Sequence, residues 1–126
     1  MINDRFITEI SQAIAGESFF IPGFSSVSTS IASTDIDATD VALTGEVGDR
    51  IAITVSRLDN AISYSSIRSG TTDLVSTSGD LISGFGTFID DSTDTLMTEV
   101  ALTTPFTQTS SFDVELITTI DVARSA

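Results

Sequence analysis

The sequence predicts a mainly β protein, a single antiparallel β-sandwich with one N-terminal amphipathic α-helix. Apolar and polar residues alternate from Phe112 to Ala123, and shorter alternating segments recur before it. Apolar residues at helical spacing occur near the N-terminus. The chain has 126 residues, 40% of them hydrophobic, which suits one domain with a modest core. We expect a single domain over 1–126, with the helix at 3–15, a connecting arm at 16–24 and the sandwich at 25–126.

The predicted helix has recognisable ends. Asn3 suits the N-cap, Asp4 favours the positive end of the helix dipole, and Gly16 stands where a left-handed C-terminal cap belongs. Its apolar stripe consists of Phe6, Ile7, Ile10, Ala13 and Ile14, and the opposite face is expected to carry Arg5, Glu9 and Gln12. Such a helix either closes an open face of its own domain or packs on a neighbouring subunit, and the pattern leaves both open.

The arm that follows is rich in phenylalanine. Pro22 ends any helix there, and Gly23 permits a sharp bend. We expect the helix and arm together to supply much of the contact with neighbouring subunits, through Phe6, Ile7, Ile10, Ile14, Phe19, Phe20 and Phe24.

The remaining chain reads as short strands joined by turns. Asp59 and Asn60 are a candidate two-residue hairpin turn, and a bulge at Ser65–Ser66 is expected to turn Ile67 inward. Pro105 is expected to interrupt the strand that starts near Leu96, and 40–47 is expected to form one helical turn. The predicted strands are Ser25–Ser33, Arg50–Leu58, Ala61–Arg68, Asp80–Ile89, one from Leu96 to Leu102 and the last over Phe112–Ala123.

Charge and composition exclude several function classes. The formal net charge is −13, with 18 acidic residues, and all five basic residues are arginine. An acidic, lysine-free surface keeps a protein hydrated in concentrated salt, so we expect a halophilic source. The alternative is an acidic domain from a lysine-poor genome. Five dispersed arginines cannot neutralise a phosphate backbone, which argues against a nucleic-acid partner.

Few residues are available for catalysis or metal binding. The chain has no His, Cys or Trp, and we expect no enzymatic activity, although Glu46, Glu99 and Glu115 are carboxylate candidates. Asp35, Asp37 and Asp40 could hold Ca²⁺ or Mg²⁺ with oxygen ligands, but a solvated acidic turn is the preferred interpretation. We therefore predict no cofactor.

A structural ion pair is predicted between Glu46 and Arg50, four residues apart. No apolar run approaches the length of a membrane-spanning helix, so no membrane insertion is expected. The N-terminus is also a poor secretory signal, which favours assembly in the cytoplasm of the host cell.

The order of these features resembles that of small β-sandwich virion modules of tailed phages and haloarchaeal tailed viruses. The resemblance rests on Leu43-Thr44-Gly45-Glu46 with the following Arg50, the glycine-containing strand from Asp80 to Asp90, the segment Leu102–Thr109 and the last alternating strand. That family comprises tail-fibre attachment, collar and head-decoration components, and it implies assembly rather than catalysis.

The resemblance implies a non-enzymatic virion protein that forms an oligomeric tail, collar, turret or head-decoration component. Its partners would be copies of itself and other virion proteins, and its location the virion. The alternative is a haloarchaeal cell-surface or carbohydrate-binding β-sandwich module, for which exposed aromatic residues would be needed.

Overall fold

Two antiparallel sheets and one N-terminal helix make up the part of the chain that the computed structural model describes, residues 2–30, 42–70, 81–89 and 96–122. The predicted mainly β, sandwich-like fold is confirmed. The elements are α1 (Asp4–Ile14), β1 (Phe24–Ser28), β2 (Glu46–Ala52), β3 (Thr54–Leu58), β4 (Ala61–Arg68), β5 (Leu81–Phe88), β6 (Leu96–Thr107) and β7 (Val114–Asp121).

The chain joins the two sheets along one side of the sandwich, where the edge strands β2 and β3 are consecutive. One sheet has the order β2-β1-β5-β6, and the other has the order β3-β4-β7. The predicted strand Arg50–Leu58 is divided at Ile53, where the chain crosses from the first sheet to the second. This crossing places the edge strands β6 and β7 together on the opposite side of the molecule.

Two apolar clusters fill the space between the sheets. The first contains Val27, Ile82, Phe85 and Leu116. The second contains Phe6, Tyr64 and Met97, with Ile53, Ile62, Ile89 and Ile120 packed against it. A third cluster, of Leu43, Phe88 and Leu96, lies on the other face of the four-stranded sheet, since Phe88 alternates with the inward-facing Thr87.

Buried hydroxyl groups separate the two clusters between the sheets. Ser25 of β1 is hydrogen-bonded to Ser66 of β4 across the sandwich. Thr87 is paired in register with both Ser25 and Thr98, and the Thr87 and Thr98 hydroxyl oxygens are 2.6 Å apart. These buried hydroxyl groups are therefore paired with one another, and such pairing allows polar groups to be buried at low cost.

The hydrogen bond between Ser25 and Ser66 also explains why the predicted bulge at Ser65–Ser66 is wrong. The β4–β7 pairing runs without a register shift from Ala61↔Asp121 to Arg68↔Val114. Ser66 points inward to Ser25, and Ile67 is consequently 59% exposed. Tertiary hydrogen bonding thus overrides the apolar preference of Ile67.

Two other expectations concern Pro105 and 40–47. Strand β6 extends past Pro105, but its pairing with β5 is irregular there, since Gly84 is opposite Ala101 and Ile82 is opposite Phe106. Pro105 therefore lies in a bulged part of an edge strand, where a missing amide proton is tolerated. No helical turn forms over the described part of 40–47, because Glu46 already begins β2. The Asp59–Asn60 turn is confirmed, with Asp59 at φ 52° between the paired residues Leu58 and Ala61.

We predict that the Thr87 and Thr98 hydroxyls are energetically coupled. Thr87→Val should lower the free energy of unfolding by about 1–3 kcal/mol, because it leaves the buried Thr98 hydroxyl without its partner. The double variant Thr87→Val/Thr98→Val should cost clearly less than the sum of the single variants, since both polar groups are then gone. Denaturant unfolding of all four proteins measures the coupling. Additive losses would contradict it.

Candidate functional site: the N-terminal helix and arm

Backbone hydrogen bonds attach the start of helix α1 to the sandwich. The Asn3 amide donates to the Met97 carbonyl at 2.8 Å, and Ile2 forms an isolated antiparallel bridge with Thr98. The Asn3 side chain accepts a hydrogen bond from the Arg5 amide, as expected of an N-cap, and Gly16 has a φ of 78°, as expected of a left-handed cap. The helix therefore has a defined beginning, end and position.

Phe6 anchors the helix in the core. It is only 4% exposed, contacts Tyr64 edge to face with the ring centroids 6.2 Å apart, and belongs to the cluster that includes Met97. Burial raises the pKa of the Tyr64 hydroxyl. The structure thus removes Phe6 from the expected subunit contact and assigns it to closing its own domain.

Glu9 joins the helix to the arm. Its carboxylate accepts a hydrogen bond from Arg5 Nε at 2.8 Å and another from the Phe20 amide at 2.7 Å, and the residue is 5% exposed. Glu9, which was expected on the face opposite the apolar stripe, is buried because the arm folds back over it. The signal in the sequence was the Arg5–Glu9 spacing, which indicates an ion pair but says nothing about burial.

The protonation of Glu9 reflects opposing effects. Burial raises its pKa, whereas the hydrogen bond from the Phe20 amide and the hydrogen bond and charge of Arg5 lower it. The net result is a pKa below the ordinary value of 4.5. Glu9 is therefore ionised at neutral pH, where its carboxylate accepts the hydrogen bond from the arm.

The helix and arm expose a set of large apolar residues. Ile14 is 83% exposed and Phe20 is 57% exposed, and Ile21, which we did not expect in the contact, is 48% exposed. We call this set the N-terminal apolar surface: Ile7, Ile10, Ile14, Phe19, Phe20 and Ile21. Phe24, by contrast, is only partly exposed as the first residue of β1, paired with Ala52 and Phe88.

A groove runs beside these exposed side chains. It has a volume of about 220 Å³ and lies where the helix and arm meet strand β4. Its walls are almost entirely apolar. The residues that line it include Phe6, Ile10, Ile14, Phe20, Ile62 and Tyr64. Glu9 is the charged residue among those lining it, and its charge is matched by Arg5.

A second cleft, of about 450 Å³, opens between the edge strands β6 and β7. Threonine side chains such as Thr103 and Thr119 line it together with apolar residues such as Ile117. The sequence did not indicate this cleft, because it results from the strand order rather than from any local pattern.

The structure brings Glu46 and Arg50 together in a bidentate ion pair. Arg50 Nε is 2.9 Å from Glu46 Oε2, and a terminal nitrogen of the same guanidinium donates to Oε1. In a regular strand residues four apart are well separated, but β2 bulges here, with its three residues 48–50 opposite Ser26 of β1 and Gly48 at φ 73°. The Arg50 guanidinium carbon (Cζ) also lies 3.6 Å from the Phe88 ring centroid, so the ion pair packs against the third cluster, which contains Phe88.

The candidate metal and catalytic residues do not form a site in the described structure. Asp35, Asp37 and Asp40 lie outside the described residues, and the described ones contain no group of three potential ligands. Glu46 and Glu99 lie on opposite edge strands of one sheet, and Glu115 lies on the other sheet. No helix of the described ranges is long and apolar enough to cross a membrane.

Comparison of the chain with protein-family models, curated proteins and solved structures finds no match. A function is therefore proposed from the surface of the described residues.

We predict that Glu9 makes stability depend on pH. Because its pKa is lowered in the folded state, its contribution is present above about pH 4.5 and is lost as the pH falls below that value. Glu9→Gln should be less stable than the wild type near pH 7 by about 1 kcal/mol, and the difference should shrink on acidification. Chemical unfolding at pH 7 and pH 3.5 measures both effects.

Glu17→Gln is the matched control, since it removes the same charge from an exposed position one residue beyond Gly16. It should leave the stability near pH 7 and its pH dependence close to those of the wild type. A Glu9→Gln protein with an unchanged pH profile would show that the carboxylate does not hold the arm.

Proposed function

We propose that the chain is a non-enzymatic structural protein of a virion, from a tailed virus of a halophilic host. In the proposal it oligomerises as a tail, collar, turret or head-decoration component, with copies of itself and other virion proteins as partners. The observation that carries this proposal is the N-terminal apolar surface. Exposed apolar patches of this kind on an acidic protein are typical of protein–protein contact sites.

The arginines support the proposal because they serve the fold. Arg5 binds Glu9, Arg50 binds Glu46, Arg57 donates to the Asp59 carbonyl and Arg68 donates to the Asp49 carbonyl. The four basic residues of the described structure are thus committed within the chain. A surface dominated by acid favours a protein that faces brine and disfavours a nucleic-acid partner.

One of the candidate catalytic carboxylates is committed to the fold. Glu46 accepts hydrogen bonds from Arg50 and from the Leu43 amide, which favours a structural role for it over catalysis. The carbohydrate-binding alternative needs exposed aromatic platforms. Tyr64 is 6% exposed in the core, and the exposed aromatic residues of the described structure are the phenylalanines Phe19, Phe20 and Phe112, of which the first two belong to the N-terminal apolar surface.

We predict that salt stabilises the folded chain. With a net charge of −13, raising KCl from about 0.2 to 3 M should increase the melting temperature, because screening weakens the repulsion among carboxylates. Neutralising the exposed Asp49, Glu115 and Asp121 to Asn, Gln and Asn changes the charge by three, from −13 to −10, and should flatten this dependence. Highest stability in dilute buffer would contradict the halophilic assignment.

The virion assignment is tested on particles. Virus particles banded on a salt density gradient and treated with protease-free nuclease should contain the chain in many copies per particle by quantitative mass spectrometry. A host cytoplasmic protein followed through the same gradient is the control for contamination. Recovery of the chain from cell fractions alone, at the level of that control in particles, would overturn the proposal.

A further inference from the structure

We propose that the N-terminal apolar surface is the contact of a two-fold symmetric dimer and that its occupant is the same surface of a second copy. This inference rests on the proposed function and specifies its first assembly step. Three properties of the surface lead to it: its size, its charge and its shape.

The size of the surface fits one half of a dimer contact. Six large apolar side chains are each between 43% and 83% exposed. Together they expose on the order of 500 Å², given roughly 200 Å² for a phenylalanine and somewhat less for an isoleucine. A standard interface buries about 800 Å² per partner, of which the apolar centre is the larger part. With a polar rim, this surface reaches that size.

The charge of the surface suits a second copy of this chain. Two molecules of net charge −13 repel each other, so they associate most readily through a region that carries little charge. The N-terminal apolar surface is such a region: Glu9, the charged residue in its groove, is paired with Arg5, and Asp4 and Glu17 are the other charged residues of the helix and arm. A cationic partner would instead be drawn to the acidic surface elsewhere.

The shape of the surface allows it to fit a second copy of itself. Ile14 and Phe20 project from it, and the groove between the helix, the arm and β4 lies directly beside them. A two-fold contact requires a projection and a recess on the same surface, because each copy supplies both. In the dimer, Ile14 of each copy enters the groove of the other, near Tyr64 and Ile62.

The surface is also held in one conformation before binding. Glu9 fixes the arm at Phe20, and the other end of the arm is joined to the sheets by the Gly23 amide to the Phe88 carbonyl at 2.8 Å and the Ile53 amide to the Gly23 carbonyl at 2.9 Å. A preorganised surface loses little conformational entropy on association.

Substitutions at exposed positions test the contact without removing the Phe6 anchor. Ile14→Ser and, separately, Phe20→Ser should each raise the dimer dissociation constant about a hundredfold, because the change occurs twice across the two-fold axis and costs roughly tenfold each time. Leu58→Ser is the matched control, since Leu58 is 77% exposed at the β3–β4 turn. Sedimentation equilibrium of the full chain measures the constants, at about 0.5 and 3 M KCl.

Spin labels test the geometry. The chain has no cysteine, so Ser11→Cys places one label on the exposed helix surface. Leu81→Cys places another at the exposed start of β5, seven residues along the strand from Phe88, which pairs with Phe24 at the end of the arm. The Ser11 label should give a single short inter-label distance that disappears in Ile14→Ser, and the Leu81 label should give a longer one. The dimer should tighten at higher salt, as screening weakens the repulsion between the copies.

The outcomes separate this inference from the proposed function. A dimer or larger oligomer that is unaffected by both Ile14→Ser and Phe20→Ser overturns the inference, while the particle experiment continues to support the function. A chain that is monomeric at both salt concentrations also overturns the inference, and its presence in particles would then mean that another virion protein covers this surface. Absence from particles together with a weakened dimer in both variants overturns the function alone.

Discussion

The position of the arm relative to helix α1 depends on the hydrogen bonds that the buried Glu9 carboxylate accepts. Phe6 anchors the helix in the core, but Phe6 alone does not position the residues after Gly16. Glu9 positions them by accepting a hydrogen bond from Phe20, eleven residues away, while Arg5 neutralises its charge. An ionised carboxylate with two charge-assisted hydrogen bonds is stable at a site where an unpaired one would be expelled. The same contact displays Phe19, Phe20 and Ile21 toward solvent.

The core between the two sheets consists of small apolar clusters, and polar interactions add to the packing of the sheets. Two apolar clusters are separated by hydroxyl groups that bond to one another, so the sheets are aligned by specific pairs as well as by burial. Outside the sheets, Arg50 and Glu46 fasten the segment around Leu43 over Phe88. A chain with few basic residues thus uses each described guanidinium to hold structure, which leaves its acidic groups to the solvent.

Assembly, rather than chemistry, is the function that this arrangement favours. The exposed apolar side chains of the helix and arm belong to elements that are hydrogen-bonded to the sandwich, so the surface does not need to form on binding. In concentrated salt, repulsion between anionic copies is weak and apolar contacts are strengthened. In the proposed assembly, copies of an acidic protein would associate in a defined orientation through the N-terminal apolar surface.

Local chemistry in the sequence determined the helix with its Asn3 and Gly16 caps, the Asp59–Asn60 hairpin and the alternating last strand, because each depends on neighbouring residues alone. It also determined the spacing of Glu46 and Arg50, although only a bulge in β2 brings them into contact. Tertiary structure decided which apolar residues of the helix are buried, the inward turn of Ser66, the passage of β6 through Pro105 and the burial of Glu9. These depend on partners distant in the sequence, such as Tyr64 for Phe6 and Ser25 for Ser66, and no local pattern encodes those partners.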